Sequence, residues 1–277
     1  MSAAPPEPVP FEPVRPDAVE AAAGPSWGPI EVVDRTGSTN ADLVARCAEQ
    51  DCVGAVLIAE EQVDGRGRQG RRWESVPGTH LAMSMVVDAH GPAAAGALGW
   101  IPLLTGVAVV SAIAEITGVS SQVKWPNDVL VEGLKVSGIL AELAHGPQAP
   151  EVRRSVVVGV GVNTGLSADA LPVPTATSLN LVTGTSVDRS RLAGAILASM
   201  ARELSRWPHD LGALAEDYRA VCGTLGTRVR VDLPQSRTLV GTASDVDETG
   251  RIVITPESGG PAIAVNAGDV THLRPQG

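Results

Sequence analysis

The chain has 277 residues, a formal net charge of −10 at pH 7, 44% hydrophobic residues and only 3% aromatic residues. This length accommodates one large domain, or a large and a small one, with a core built mainly from aliphatic side chains. An acidic chain argues against bulk binding to nucleic acid or membranes, although it leaves room for one small basic site.

The spacing of cysteine and histidine predicts neither a disulfide framework nor a metal site. The three cysteines show no C-x-x-C spacing and indicate a reducing compartment, and the five histidines are scattered. We expect no signal peptide, and no transmembrane helix because no charge-free apolar run of about 18 residues is evident. These observations predict a cytoplasmic protein.

Eight prolines interrupt residues 1–29. Their spacing disfavours both helices and strand ladders, so this segment is predicted to be a disordered, proline-rich arm without a regular helix. Ordered structure is expected to begin near Ile30. An arm of this kind leaves no room for a helix-turn-helix ahead of the main domain.

Hydrophobic periodicity predicts strands and helices over residues 30–223. A helix over residues 41–50 is expected to begin after Ser38 or Thr39, either of which can cap it. A second, alanine-rich helix is predicted over residues 100–117, with Gly118 ending it. The predicted strands span 30–33, 55–60, 81–87, 122–125, 129–132, 135–143 and 155–162, and two further helices span 189–207 and 211–221.

The pattern changes after Gly223. Short strands over 228–233, 237–245, 251–255 and 262–265, separated by turns, predict a small β-barrel. The chain is therefore predicted to divide into an arm at 1–29, a large domain at 30–223 and a small β domain at 224–277.

Residues 65–73, here called the arginine loop, read Gly-Arg-Gly-Arg-Gln-Gly-Arg-Arg-Trp and bring four arginines together. They match G-x-G-x-x-G, but a dinucleotide-binding fold needs a helix directly after the glycines. Here Pro77 and Gly78 lead into a strand, and the first βαβ unit is missing. The loop is therefore predicted to surround an anion with backbone N–H and guanidinium groups, or else to be a solvated basic loop.

Two further segments carry candidate site residues. The sequence KWPND at 124–128 predicts a strand that enters a turn, and Lys135 follows in an apolar strand. A lysine that points inward there needs an anionic partner, whereas a lysine on the outer face of the hairpin would be solvated. Residues 156–165 predict a buried strand with a close-packed glycine pair, followed by a turn with Asn163 at its tip.

The order of these motifs along the chain resembles that of biotin–protein ligases. The motifs are Gly-Ser-Thr-Asn at 37–40, Gln62 with the arginine loop, 124–128 with Lys135, and 159–163. The resemblance covers residues 30–223, and the tail ending at 272–274 is similar to that family's small C-terminal domain. It implies an α+β fold: a class II aminoacyl-tRNA-synthetase-like catalytic domain with a small C-terminal SH3-like β-barrel. It also implies two steps. The carboxylate of biotin attacks the α-phosphorus of ATP to form biotinyl-5′-AMP, and a carrier lysine then displaces AMP.

The resemblance also implies roles for individual residues. Because a carboxylate and a triphosphate meet in one site, cationic donors are required there. Lys135 and Arg68 are the expected catalytic residues. Biotin is expected to contact Ser38, Thr39, Asn40, Gln62, Gly65, Arg66, Gly67, Arg68, Lys135 and Gly138. The nucleotide is expected to contact Arg68, Arg71, Lys124, Asn127, Asn163 and, from the small domain, Arg274.

The implied substrates are biotin and ATP, the latter with Mg²⁺, and the implied partner is a biotin carboxyl carrier domain of an acyl-CoA carboxylase. No nucleic-acid or membrane partner is expected, and the missing helix-turn-helix implies a ligase that does not repress transcription. Gln69 departs from the family pattern, which often has arginine there, and this lowers the charge of the loop. Two alternatives stay open: a lipoate–protein ligase of similar fold, and a non-catalytic biotin-binding module.

Overall fold

The structure, a computed structural model, describes residues 12–74, 76–146, 154–233, 237–266 and 269–272. Its helices are α1 (Pro16–Ala23), α2 (Thr39–Glu49), α3 (Pro92–Gly96), α4 (Ile101–Thr117), α5 (Leu179–Thr183), α6 (Arg189–Arg206) and α7 (Leu211–Val221). Its strands are β1 (Ile30–Thr36), β2 (Val56–Gln62), β3 (His80–Asp88), β4 (Gln122–Lys124), β5 (Asp128–Val131), β6 (Leu134–His145), β7 (Arg154–Asn163), β8 (Arg228–Leu233), β9 (Arg237–Val246), β10 (Ile252–Pro256), β11 (Ile263–Val265) and β12 (Asp269–His272).

These strands form two sheets. The larger has the order β1-β2-β3-β7-β6-β5-β4, and the smaller has the order β11-β10-β9-β8-β12. Strands β1 and β2 are parallel, whereas the other neighbouring strands are antiparallel. The predicted elements are found with boundaries shifted by a few residues, and α1, α3, α5 and β12 are additional. The predicted α+β class is confirmed, and the C-terminal strands form a small antiparallel sheet.

Both faces of the larger sheet are covered, because alternate residues of its strands are buried in two different clusters. On β2, Val56 and Ile58 pack in the main core, which also contains the apolar residues of α4 and α6. Leu57, between them, packs instead with Leu43 and Cys47 of α2. The period-two alternation of a strand thus places the sheet between two helical layers.

Helix α4 is almost entirely buried, and it ends at Gly118, whose φ of 71° gives the left-handed cap that glycine favours. The segment Leu98–Thr117 is long and apolar enough to cross a membrane by composition alone, with a mean hydropathy of 1.7 over an 18-residue window. The expectation that no such run occurs is therefore wrong. However, 67% of that window is buried inside the protein, which is typical of a core helix.

The prediction of a disordered arm without a regular helix is wrong for the described part of residues 1–29. Helix α1 begins at Pro16, a position where proline is tolerated because no intrahelical N–H is needed, and the next proline is Pro25. Its Val19 is fully buried, and Ala22 lies against Gly194 of α6. Residues 1–11 lie outside the described part of the chain.

A buried ion pair fastens the start of this N-terminal segment. Glu60 Oε2 of β2 lies 2.6 Å from Arg189 Nη1 of α6. The Val14 amide donates to Glu60 Oε1 at 2.6 Å, and Arg189 also donates to the carbonyl oxygens of Glu12 and His80. The two charges are thus compensated by each other and by the backbone of the N-terminal segment.

A βαβ unit does exist at the start of the larger sheet, contrary to the expectation that the first one is missing. It consists of β1, α2 and β2, with β1 and β2 parallel. The arginine loop follows this unit and leads through a single turn at 68–70 into β3. Its glycines do not open a helix of useful length, so the loop lacks the helix that a dinucleotide-binding loop needs.

All three cysteines, Cys47, Cys52 and Cys222, are buried and free. Burial, and then the neighbouring Cys52, raises the pKa of Cys47 to about 12. Cys47 is therefore a neutral and poorly nucleophilic thiol at neutral pH, as is usual for a cysteine of the core.

Candidate active site

Three uncharged side chains around the start of α2 line one end of a cavity, and a fourth, Ser84 of β3, is hydrogen-bonded to them. Ser38 caps α2 by accepting a hydrogen bond from the Ala41 amide. The Thr39 amide donates to Gln62 Oε1 of β2 at 2.8 Å, and Thr39 Oγ1 lies 3.0 Å from the same oxygen. Ser84 Oγ of β3 lies 2.6 Å from Thr39 Oγ1. Uncharged hydrogen-bonding groups in a largely buried setting suit a neutral polar ligand.

Asn40 completes this group, and the five residues Ser38, Thr39, Asn40, Gln62 and Ser84 are called the polar end below. Asn40 Nδ2 donates to Leu140 O at 3.2 Å and to Glu142 Oε2 at 2.8 Å, which orients its amide. Its Oδ1 then accepts from Ser84 at 2.6 Å. The polar end is therefore held in one orientation by its own hydrogen bonds.

Glycines on β6 and β7 form the floor of the cavity. Gly138 and Gly161 are directly paired across these strands, and a Cβ added to Gly161 would lie 2.5 Å from Trp73 Cε2. A Cβ added to Gly159 would overlap Asn40 Oδ1. The glycine pair of β7 therefore leaves the space in which Trp73 and Asn40 lie, as well as allowing close strand packing.

The arginine loop is a closed hairpin over this floor. Arg66 and Arg72 form an isolated antiparallel bridge, and the Trp73 amide donates to Gly65 O at 2.9 Å. A Cβ added to Gly65 would lie 2.5 Å from Trp73 O, so glycine is required for the two ends of the loop to approach. This closure places Trp73 on the glycine floor.

The tip of the arginine loop faces the opposite wall of the cavity. The tip turns through Gln69, whose φ of 57° is unusual for a non-glycine residue. Arg68 Nη1 donates to Asn127 Oδ1 at 3.2 Å. Arg72 instead reaches the outer side, where it donates to Val63 O at 3.0 Å. Two arginines of the same loop therefore point in different directions: Arg68 towards the turn at 125–127, and Arg72 towards Val63.

Lys135 lines the cavity, and it has the anionic partner that an inward position requires. Its Nζ lies 2.6 Å from Asp128 Oδ1 and 5.8 Å from the centroid of the Trp73 ring. Its backbone is held on a second side, because the Lys135 amide donates to Thr175 O at 2.7 Å. The side chains of the ion pair are 34% and 23% exposed, so the pair orients Lys135 more than it stabilises the fold.

The turn at 125–127 connects β4 to β5 and forms the wall opposite the arginine loop. Asn127 is fixed twice to β6: its carbonyl accepts from the Ile139 amide at 2.9 Å, and its Nδ2 donates to Ile139 O at 3.0 Å. Lys124 precedes the turn, close to His272 of β12. Burial, and then the charge of Lys124, lowers the pKa of His272.

The resulting cavity has a volume of about 290 Å³ and is strongly asymmetric in charge. Its cationic side, called the cationic end below, contrasts with the net charge of −10 for the whole chain. Asp128 is the one carboxylate among the described residues that line the cavity. The lining cations are Arg66, Arg68, Arg71, Arg72, Lys124 and Lys135.

Most of the predicted site residues are brought together here. Gly65 does not line the cavity but closes the arginine loop. Asn163 lies outside it, buried at the end of β7, where its Nδ2 donates to Thr177 O at 2.9 Å; its position does not support the predicted nucleotide contact. Arg274 lies outside the described residues. The predicted residues that line the cavity are Ser38, Thr39, Asn40, Gln62, Arg66, Gly67, Arg68, Arg71, Lys124, Asn127, Lys135 and Gly138.

Three residues carry roles that the sequence does not predict: Trp73 and Asp128 line the cavity, and Ser84 is hydrogen-bonded to Thr39 and Asn40, which line it. Trp73 and Asp128 lie inside recognised motifs, but their contacts with Lys135 depend on the register of β5, β6 and β7. A signal for Trp73 does exist, because a glycine on each of two adjacent strands leaves a gap for a large side chain. Ser84 carries a weaker signal, because it is a polar residue in the middle of the apolar strand β3.

Comparison with known proteins agrees with this geometry. Residues 33–163 match the Biotin/lipoate A/B protein ligase family, and residues 224–273 match the Biotin protein ligase C terminal domain. A biotin--[acetyl-CoA-carboxylase] ligase of Mycobacterium tuberculosis is 41% identical over 259 residues, which cover 91% of this chain and 92% of the relative. The chain belongs to the biotin protein ligase family. The resemblance inferred from the sequence is therefore confirmed.

Other members of the family show how far the similarity extends. A bifunctional ligase/repressor of Bacillus spizizenii is 31% identical over 238 residues, which cover 83% of this chain but 69% of that protein. The structure of a biotin protein ligase from Aquifex aeolicus in complex with biotin and ATP superposes with a TM-score of 0.71 and 26% identity. That match covers 88% of this chain and 98% of that one.

Proposed function

We propose that the cavity activates biotin with ATP and that the protein transfers biotin to a lysine of a carboxyl carrier domain. The observation that carries this proposal is the asymmetry of the cavity: a neutral polar end adjoins a cluster of cations in an acidic chain. Family membership supports the same conclusion, because the similar protein of Mycobacterium tuberculosis is a biotin--[acetyl-CoA-carboxylase] ligase.

The polar end would hold the ureido ring of biotin. Such a ring offers two N–H donors and one carbonyl acceptor and carries no charge, so it matches hydroxyl and amide partners. Ser38, Thr39 and Gln62 are the proposed contacts, with Asn40 orienting Thr39 and Ser84 through their hydrogen bonds. The carboxylate at the other end of biotin would then reach Lys135 and the backbone of residues 65–67 over Gly138.

In the first step, a carboxylate oxygen of biotin forms a bond to the α-phosphorus of ATP, and the bond to the β-phosphate oxygen breaks to release pyrophosphate. Both reactants are anions, so the step needs fixed positive charge. Lys135 and Arg68 are the proposed catalytic residues, because both are cations that line the cavity, one on β6 and the other in the arginine loop. Arg71, Lys124 and Asn127 are proposed to bind the nucleotide.

In the second step, the amine of a carrier lysine forms an amide bond to the acyl carbon, and the bond to the AMP oxygen breaks. The attacking ammonium group first loses one proton to solvent, its nitrogen loses a second proton to solvent as the amide forms, and AMP leaves as a phosphate anion. Lys135 would stabilise the developing charge here as well. Asp128 would keep Lys135 Nζ in place between the two steps through their 2.6 Å contact.

Mg²⁺ is proposed to enter with the phosphates of ATP. The described residues contain no group of three or more His, Cys, Asp or Glu side chains able to hold a metal ion. Magnesium in nucleotide sites is often bound by phosphates, water and one or two carboxylates, and Asp128 is the carboxylate at hand.

The finer description of the fold is part of the same proposal. We infer a class II aminoacyl-tRNA-synthetase-like catalytic domain over 30–223 and an SH3-like C-terminal barrel over 224–277. The seven-stranded, mainly antiparallel sheet with helices on both faces supports the first inference, and the five-stranded antiparallel sheet supports the second. The described N-terminal residues pack on α6 and are grouped with the catalytic domain.

Isotope exchange between pyrophosphate and ATP tests the proposal against its rivals. Exchange that depends on biotin and not on lipoate is expected, because the polar end suits a ureido ring. Exchange that depends on lipoate would favour a lipoate–protein ligase. Binding of biotin without any exchange would favour a non-catalytic biotin-binding module.

A further inference from the structure

The turn at 125–127, which carries the nucleotide side of the cavity, is anchored by residues outside the cavity. The Trp125 amide donates to Thr224 Oγ1 at 3.0 Å, and both residues are buried, with exposed fractions of 2% and 0%. Thr224 lies in the connection between α7 and β8, and its Oγ1 also lies 3.0 Å from His272 Nε2 of β12. One hydroxyl therefore bridges the turn and the small domain.

The backbone beside this hydroxyl follows β4 closely. The Gly223 amide donates to Val123 O at 2.9 Å, and Cys222 forms an isolated parallel bridge with Val123. A Cβ added to Gly223 would lie 2.5 Å from Gln122 Oε1. The connection between α7 and β8 is thus hydrogen-bonded to β4, and this places Thr224 next to the turn at 125–127.

The indole of Trp125 is anchored as well. Its Nε1 donates to Gly250 O at 3.2 Å. Gly250 belongs to a turn of the small domain in which Asp247 accepts hydrogen bonds from Thr249 and Arg251. Trp100, at the start of α4, donates from Nε1 to Glu248 O at 2.8 Å in the same turn. The Trp125 side chain therefore contacts a well-ordered part of the small domain.

We propose that Thr224 is a positioning residue for the nucleotide, acting through the Trp125 amide on the turn that carries Lys124 and Asn127. This proposal rests on the proposed function of the cavity. The hydroxyl is the group that both satisfies a buried backbone amide of the turn and contacts the small domain. The polar end has no such dependence, because Thr39 and Gln62 are held by hydrogen bonds to each other and to Ser84. Loss of the hydroxyl should therefore impair ATP binding and leave biotin binding unchanged.

The test compares Thr224→Val, which keeps the shape but removes the hydroxyl, with Thr224→Ser, which keeps the hydroxyl. The apparent KM for ATP is measured in biotin-dependent pyrophosphate exchange, and the Kd for biotin is measured by calorimetry without ATP. For Thr224→Val, the KM for ATP should rise about fivefold or more, which corresponds to one lost hydrogen bond. The Kd for biotin should change less than twofold, and Thr224→Ser should behave as the parent does.

An unchanged KM for ATP in folded Thr224→Val would overturn the proposal. So would an equal loss of biotin affinity, which would indicate general destabilisation, or a failure of Thr224→Ser to restore ATP binding. If Thr224→Val does not fold, Thr224→Ala removes the same hydroxyl without placing a methyl group against the amide.

Amide hydrogen exchange separates this proposal from the function on which it rests. The peptide that contains the Trp125 amide should exchange faster in Thr224→Val than in Thr224→Ser, whether or not the chain catalyses a reaction. Equal exchange in the two variants would refute the anchoring role. A parent protein without biotin-dependent pyrophosphate exchange would refute the proposed function instead.

Discussion

The two ends of the cavity are built on opposite principles. At the polar end, uncharged residues bond to one another: Gln62, Thr39, Ser84 and Asn40 are joined in that order by hydrogen bonds of 2.6 to 2.8 Å. At the cationic end, six cations face one lining carboxylate, Asp128. The first end is held in place by its internal hydrogen bonds, whereas the second carries an excess of positive charge that an anion would neutralise. Recognition of the neutral group and activation of the carboxylate are thus assigned to different residues.

The largest effect is expected from Lys135→Ala at the cationic end. Removal of this charge should lower the rate of biotin transfer to a carrier protein about 100- to 1000-fold, because a fixed donor to developing charge is lost. A steady-state assay measures the rate. The matched control is Arg202→Ala, which removes an exposed cation of α6 away from the cavity. A transfer rate equal to that of the parent would remove Lys135 from the mechanism.

A smaller effect is expected from Arg68→Gly in the arginine loop. Loss of a charge-assisted contact of roughly 2 kcal/mol should let the adenylate escape about 30-fold faster. Escape is followed with adenylate labelled in the phosphate. Arg72→Ala is the control within the same loop: Arg72 is among the lining residues, but its guanidinium is directed to Val63 O and Asp64 and its side chain is 70% exposed. Equal escape from the Arg68 and Arg72 variants would mean that the loop acts only through its total charge.

The contrast between the two ends is sharpened by Gln62→Ala. Loss of the amide should raise the Kd for biotin about tenfold, since it removes a ligand contact and leaves the Thr39 amide without its acceptor. The KM for ATP should stay close to that of the parent. Calorimetry and pyrophosphate exchange report the two quantities. Glu61→Ala, at the neighbouring position of β2, is the control. An ATP defect as large as the biotin defect would show that the two ends are not separate.

The smallest effect concerns pH. Burial, and then Arg189, lowers the pKa of His80, and burial, and then Lys124, lowers that of His272. Both are therefore neutral in the folded chain at pH values where the unfolded chain binds protons. The free energy of unfolding should fall as the pH drops below about 6.5. We expect the Tm to be lower at pH 5.5 than at pH 7.5.

Replacement of both histidines tests the origin of that pH dependence. A double variant, His80→Gln with His272→Gln, should show a flatter profile of Tm against pH over the same interval. A profile as steep as that of the parent would assign the dependence to other groups.

For the cationic end, the sequence predicts which residues take part but not how they contact one another. The sequence predicts the cations of this end because each lies in a short motif: the arginine loop, the segment 124–128 and the strand that contains Lys135. The sequence does not predict the contact between Lys135 and Asp128, since this contact depends on how β5 and β6 pair, including a register shift between Val129 and Leu130. The place of Trp73 depends likewise on the pairing of Gly138 with Gly161.

The N-terminal segment shows a different limit. Its prolines predict a segment without regular structure, but Pro16 begins a helix, and the following residues contain no proline until Pro25. What orders this segment is a tertiary contact. Glu60 and Arg189 are 129 positions apart in the chain and meet only in the folded protein, where they also bind Val14 and Glu12. Sequence periodicity holds no information about such a pair.

The central claim is that one cavity forms biotinyl-5′-AMP and then delivers biotin. A single-turnover experiment tests it most directly: the protein is incubated with biotin and ATP labelled at the α-phosphate, separated from free nucleotide, and mixed with a biotin carboxyl carrier domain. The account predicts labelled adenylate bound to the protein, followed by release of labelled AMP in equal amount to the biotinylated carrier. Biotinylated carrier without release of bound label, or bound label that stays ATP, would contradict it.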